Sequence, residues 1–339
     1  MKTTKFAFYL NKFFTVHLPN TRGSTPATID SYRYAFVMFL NFMEEKGVGA
    51  DKIDIPDITR NLVADYLKWL QDSRGNSIVT RNQRQAAINS FISYLVYEFP
   101  DYMSEYQRIL RIPIKKAPQK EITYLKADEV NLLLNEVDVG KRNGFRDYVI
   151  LALLFTTGIR VSELINIRFK DVSLNTPPTL LVHGKGQKSR YVPLIKATVN
   201  IIQDYFCRIG FDKDKHFNEL IFKNHLKKPF TRQGINYIVK KYANKAGEKA
   251  PNQIPANFSP HKMRNSTAMG LVESGVDLIY IRDLLGHVSV KTTEIYIKAD
   301  AAKKREAIEA ASKELVAYEK PEWEENKGLK EWLKSFNRM

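Results

Sequence analysis

Ser259 to Tyr296 reads SPHKMRNSTAMGLVESGVDLIYIRDLLGHVSVKTTEIY. Pro260 breaks the incoming chain, and the spacing predicts a helix over Lys262–Ser274 and a second over Asp277–Leu285, closed by a Gly286-His287 turn. His261 and Arg264, three apart, share one face near a helix N-terminus, where free backbone N–H groups favour an anion. His287 and Tyr296 follow, nine residues apart. Singly these are weak signals. Many helices contain HxxR by chance, and the usual fate of a tyrosine is a half-buried aromatic.

Two further motifs lie upstream. In Thr157-Gly-Ile-Arg160-Val-Ser-Glu163-Leu164 a glycine ends a strongly apolar helix (Phe145–Thr156) and Arg160 opens the next; Glu163 falls on the same side and can hold the guanidinium. The bland alternative is a surface ion pair. Around Thr179 the pattern changes to two short strands, Thr179–Val182 and Ser189–Val192, joined through His183-Gly184-Lys185-Gly186. The glycines allow a sharp bend with Lys185 at its tip. His183 reads as a structural strand residue.

Taken together, two arginines, a lysine, two histidines and a tyrosine can converge on one phosphodiester. Arg160 and Arg264 offer forked hydrogen bonds to phosphate oxygens and oppose charge that builds in a pentacoordinate transition state. A phenol with pKa near 10 needs a base or a strongly positive site to attack. His261 is placed for that proton, Lys185 for the departing 5′ oxygen and His287 for a non-bridging oxygen. No carboxylate cluster suits Mg²⁺, so the cation set would replace a metal.

The bulk properties agree with a polyanionic partner. The chain has 339 residues, enough for two domains, and a formal net charge of +16. Residues 301–339 hold 9 basic and 8 acidic side chains, so the excess of 44 over 29 lies in the body. One cysteine, Cys207, excludes an intrachain disulfide and a paired-thiolate zinc site, and its apolar neighbourhood, Ile201–Ile209, places it as a small buried side chain. No cleavable leader and no run of about 18 apolar residues is visible, so a cytoplasmic protein without a membrane span is expected.

The fold reading is mainly α with a small β-hairpin. Helices are expected after Thr25-Pro26, from Thr59 and from Ser77; the first turns of the last carry Arg81, Asn82 and Arg84, a face suited to a phosphate backbone. RIPIKKAPQKE, 111–121, has two prolines and four basic residues, among them Lys115 and Lys116, and reads as a basic linker tracking DNA. Helices are also expected over Ala127–Val137, Gln233–Lys245 and Ala301–Ala317. The domains are then 1–110 helical, 111–121 linker, 122–300 α+β, and an apolar tail, 301–339, too rich in Leu315, Trp323, Trp332 and Phe336 for a free end.

At TGIRVSEL, HGKGQKSRYVPL, HKMR, LLGH and Tyr296, in that order and spacing, the chain resembles the tyrosine recombinase (phage integrase) family over its whole length. The resemblance implies a core-binding domain and a catalytic domain, with Arg160, Lys185, His261, Arg264 and His287 as the catalytic set, Tyr296 as nucleophile and Glu163 as acidic support. It implies a 3′-phosphotyrosine intermediate, no metal or ATP, and a Holliday junction within a homo-tetramer, alone or with related recombinases, on double-stranded DNA with inverted-repeat core sites. The architecture is similar to the compact Xer type, without the arm-binding domain of the lambda type, and points to a bacterial mobile-element integrase or transposase acting at the nucleoid. Xer-type chromosome dimer resolution, a type IB topoisomerase and a silent DNA-binding protein are the alternatives. The HxxR motif is often followed by another His; here Asn265 stands there, outside the catalytic set.

Overall fold

A computed structural model describes residues 4–118, 121–184, 188–287, 292, 293 and 296. Lys185 and the tail from 301 lie outside them. The chain divides into two compact units, Met1–Lys120 and Glu121–Met339. Among the described residues no helix is long and apolar enough to cross a membrane.

The first unit is all helical: α1 (Lys5–Lys12), a wide π-helical stretch (Phe13–Thr21), α2 (Pro26–Glu45), α3 (Arg60–Asp72), α4 (Ile78–Glu98) and α5 (Met103–Leu110). Thr25 is the N-cap residue of α2 and Pro26 its first residue, where the missing N–H costs nothing. Thr59 and Ser77 cap α3 and α4 through their hydroxyls. Phe6, Phe13, Phe36, Phe39, Tyr66 and Phe91 form a buried aromatic core with edge-on contacts such as Phe36–Phe91 at 5.2 Å. The polar tip of Tyr66 is satisfied, since its Oη donates to the Ala35 carbonyl at 3.0 Å.

Arg81 is corrected by this packing. It is buried rather than part of an exposed face: its guanidinium donates to the side chains of Gln85 and Asn82 and to the Pro113 carbonyl. Asn82 joins the same strut, exchanging hydrogen bonds with the Lys115 backbone at 2.8 and 3.3 Å. Pro113 and Lys115, in the stretch read from the sequence as the 111–121 linker, are thus fastened to α4.

In the second unit α6 (Ala127–Asn135), α7 (Arg142–Thr157), α8 (Val161–Leu164), α9 (Lys196–Ile209), α10 (Lys213–His216), α11 (Arg232–Lys249), α12 (Pro260–Glu273) and α13 (Leu278–Leu285) surround a three-stranded antiparallel sheet. Its order is β1 (Val172–Ser173), β2 (Thr179–His183), β3 (Ser189–Pro193), with Leu180 opposite Val192 and Val182 opposite Arg190. A two-residue strand is too short to carry a period, which is why β1 escapes a sequence reading. Helix α7 is buried on nearly every side, as its continuous apolar run requires.

Cys207 is also corrected: it is exposed. On α9 the positions Ile202, Tyr205 and Phe206 take the core face, and position 207 turns outward.

Candidate active site

Helix α7 ends on Gly158, whose φ of +60° is the left-handed region that glycine tolerates. A Cβ there would sit 2.7 Å from Leu285 Cδ2. This close approach brings the start of α8 against the end of α13. Arg160 is the N-cap residue of α8, and Glu163 reaches back to it: the Arg160 backbone N–H donates to Oε2 at 2.8 Å and the guanidinium to Oε1 at 2.9 Å.

Helix α12 starts at Pro260, with Ser259 as cap, and carries His261 and Arg264 one turn apart. Arg264 is buried and donates to the carbonyls of Gly158 (2.6 Å) and Leu285. Strand β3 adds Arg190, whose Nε donates to the Leu284 carbonyl at 2.7 Å. Arg160 donates to the Gly286 carbonyl at 2.9 Å. Three successive carbonyls at the end of α13 therefore accept from three different guanidinium groups. The last carbonyls of a helix lack partners along the chain and carry its negative dipole end, so cations gather there for a physical reason.

Glu163 completes the cluster. It is buried and accepts both prongs of Arg190 at 3.0 Å in addition to its two bonds from Arg160. Burial alone would raise its carboxyl, but the Arg190 fork, then Arg160, hold it below the usual carboxylate range. Burial and the charge of Arg160 push Arg264 down to about 10, so it stays protonated at neutral pH.

His287 lies beside this charge. Burial, then Arg264, Arg160 and Arg190, lower it to about 4, and its Nδ1 is 3.0 Å from Thr293 Oγ1. His261, exposed at the surface, is lowered as well, by partial desolvation and by the charges of Arg264 and Arg160. Both imidazoles are thus neutral at pH 7, the form in which a ring nitrogen accepts a proton. Tyr296 stacks against His287 with ring centroids 6.4 Å apart and is 2% exposed. Its hydroxyl donates to Asn265 Oδ1 at 3.2 Å. Burial raises the phenol, while Arg264 and Arg160 pull it back.

The structure brings together Arg160, Glu163, His261, Arg264, His287 and Tyr296. Arg84 belongs to the first unit, its guanidinium over the Tyr34 ring at 4.6 Å and bonded to the Ser31 carbonyl. Lys115 there donates to Gln71, and Lys116 is exposed. Two members of the cluster escaped the sequence reading. Arg190 sits inside HGKGQKSRYVPL, and only its pairing with Glu163 reveals it. Asn265 was set aside, yet the α12 helix aims it at the Tyr296 hydroxyl. Among the described residues no group of three or more His, Cys, Asp and Glu side chains gathers for a metal.

The chain belongs to the phage integrase family. The family's catalytic region matches residues 123–303, and its N-terminal SAM-like domain matches residues 12–98. The members of this family are tyrosine recombinases, site-specific DNA recombinases, and that is the class of enzyme to which the protein belongs. Among relatives, y4rC of Sinorhizobium fredii, named as an integrase/recombinase, is 30% identical over 92% of this chain and 93% of its own. The tyrosine recombinase XerD of Staphylococcus aureus is 33% identical over 81% and 88%. XerC of Caldanaerobacter subterraneus is 30% identical over 88% and 84%. In fold, the chain is similar to the XerH recombinase bound to palindromic difH (TM-score 0.65, 23% identity, 92% and 90% covered) and to a lambda integrase dimer on a COC′ core site (0.62, 16%, 87% and 96%). The two-domain, mostly helical architecture with a small sheet is that of this family.

Proposed function

We propose that the chain cleaves and rejoins double-stranded DNA through a covalent bond between Tyr296 and a 3′-phosphate. The observation that carries this reading is the packing of Arg160, Arg190 and Arg264 against the last carbonyls of α13, beside His287 and Tyr296, with three guanidinium groups against one carboxylate. Such a surplus suits a phosphodiester and the further negative charge of its transition state. Arg160, half-exposed, has N–H groups left for a phosphate oxygen. In the reaction the phenol oxygen attacks phosphorus, its proton passes to His261, and the 5′ oxygen leaves with a proton from Lys185. His287 holds a non-bridging oxygen. The released 5′-hydroxyl of a partner strand then attacks the phosphotyrosine, which returns Tyr296 to its free form, so the bond energy is conserved without ATP.

Residues 1–110 serve as the core-binding domain, 111–121 as a basic linker, 122–300 as the catalytic domain and 301–339 as the contact to a neighbouring protomer. Arg84, Lys115 and Lys116 contribute to backbone contacts. The assembly is a homo-tetramer on inverted-repeat core sites, passing through a Holliday junction in the cytoplasm. The biological role we favour is integration and excision of a mobile element, supported by the 92% coverage by the integrase/recombinase relative. Identity of 33% to XerD favours chromosome dimer resolution as the second reading.

The test uses a suicide DNA substrate, nicked near the cleavage point and drawn from the terminus beside the gene, incubated in EDTA. A covalent protein–DNA band with wild type that vanishes in Tyr296→Phe is the expected result. Binding without a band would return the protein to the silent DNA-binding class.

A further inference from the structure

We propose that Arg190 is a positioning residue for strand cleavage, acting as a spacer that limits Glu163 to a single side-chain bond with Arg160 and keeps its second oxygen from closing on that guanidinium. The proposal rests on the reading of Arg160 as a phosphate-binding group.

The argument starts from Glu163. A carboxylate offers about four lone-pair sites. Here all four are filled, two by Arg160 and two by the Arg190 fork. Both Glu163 oxygens are buried, so water cannot take a vacated place cheaply. With Arg190 present, the three groups carry a net charge of +1 and the carboxylate makes one side-chain bond to Arg160. Without it, Arg160 would face a buried carboxylate alone. The pair would close, and the guanidinium would arrive at the phosphate already neutralised.

Arg190 also fixes the frame. Its Nε holds the Leu284 carbonyl, one residue before the carbonyl held by Arg264 and two before that held by Arg160. Its guanidinium lies where a Cβ on Gly286 would sit, 2.9 Å from Nη1. One side chain from β3, the strand that follows Lys185 in sequence, thereby links Glu163 to the turn that leads into His287.

The experiment compares wild type, Arg190→Met, Arg190→Lys, Glu163→Gln and the double variant Arg190→Met/Glu163→Gln on the suicide substrate, with Tyr296→Phe as control. The readouts are the rate of covalent complex formation from pH 5 to 9 and DNA affinity. Arg190→Met is expected to cleave at least tenfold more slowly with affinity changed less than threefold, and its acid limb is expected to move toward neutral pH as Glu163 loses the fork that keeps it ionised. Arg190→Lys, which keeps the charge but not the fork, should recover part of the rate and guards against a Met variant that does not fold. In the Glu163→Gln background the same Arg190→Met change should cost less than threefold, since no carboxylate remains to capture Arg160. Multiplicative losses in the double variant, an unmoved pH profile or a wild-type rate in Arg190→Met would overturn the proposal. A missing band in wild type would instead overturn the proposed function itself.

Discussion

The Tyr296 hydroxyl donates to Asn265 Oδ1 at 3.2 Å, and the ring that carries it is almost fully buried. A phenol held this way faces a helix rather than an incoming phosphate. To react, Tyr296 must release Asn265, and the released amide oxygen must find another donor. An intramolecular hydrogen bond contributes about 0.5–1.5 kcal/mol net, which is roughly 2- to 12-fold in a rate that begins with its rupture. Asn265→Ala is therefore expected to form the covalent complex several-fold faster on a suicide substrate at saturating DNA. A rate equal to or below wild type would mean that the bond is kept or replaced during attack.

The pH dependence follows from His287. Its pKa is about 4 in the folded protein against 6.5 when unperturbed. A group whose folded value is depressed in this basic sense binds its proton more readily when unfolded. The neutral form therefore stabilises the fold fully above pH 6.5, and this contribution is lost as pH falls from there toward 4, by up to about 3 kcal/mol. His287→Gln should flatten the drop in Tm between pH 7 and 5. A bound phosphate works the other way, because its negative charge favours imidazolium. DNA binding near pH 6 should then take up protons, seen as a dependence of the calorimetric heat on buffer ionisation enthalpy. Equal heats in MES and bis-Tris, two buffers that hold pH 6 with different ionisation enthalpies, would contradict this.

How far the sequence alone could reach depends on the kind of signal. Helix starts were legible because they are local chemistry: Thr59, Ser77 and Ser259 each accept a hydrogen bond from the first turn of the helix they open. The pairing of Arg160 with Glu163 was legible because three residues span one turn. Arg190 was not, because its partners are 27 and 94 residues away and only folding brings them together. Asn265 was misjudged for a related reason: its neighbour Arg264 carries the recognisable chemistry, and the partner of Asn265 lies 31 residues on. Cys207 failed because a run of apolar residues says that a helix has a buried face but not which members fall outside it. Arg81 failed because a basic residue on a polar helix start is read as solvated unless its acceptors, here on residues 85 and 113, are known.

Arg81 and Lys116 should separate stability from DNA affinity. Arg81→Ala leaves the buried side-chain oxygen of Gln85 without its donor, which costs roughly 1–3 kcal/mol. Lys116 is exposed. Its replacement by Ala should leave urea unfolding unchanged within about 0.5 kcal/mol and, if it meets a phosphate, lower the salt slope of binding by roughly 1. A large change of salt slope in Arg81→Ala with unaltered unfolding would return Arg81 to the DNA-contacting face.

Gly286 offers the sharpest structural test, because a matched control exists in the same unit. Gly286 and Gly210 both end helices in the left-handed region, at φ of +64° and +66°. A Cβ on Gly210 meets nothing within 4 Å, so Gly210→Ala bears only the backbone cost, about 1–2 kcal/mol. A Cβ on Gly286 would also stand 2.9 Å from Arg190 Nη1 and 3.1 Å from its Cζ. A free arginine would swing aside at little cost. This one is pinned by Glu163 and the Leu284 carbonyl, so it can yield only by breaking those bonds. Gly286→Ala should therefore lose more stability than Gly210→Ala and also lose strand cleavage, while Gly210→Ala cleaves at the wild-type rate. At about 2–4 °C per kcal/mol for a unit of this size, the difference in Tm should be several degrees. Equal losses in the two variants would mean that the Arg190 fork is softer than its three hydrogen bonds imply.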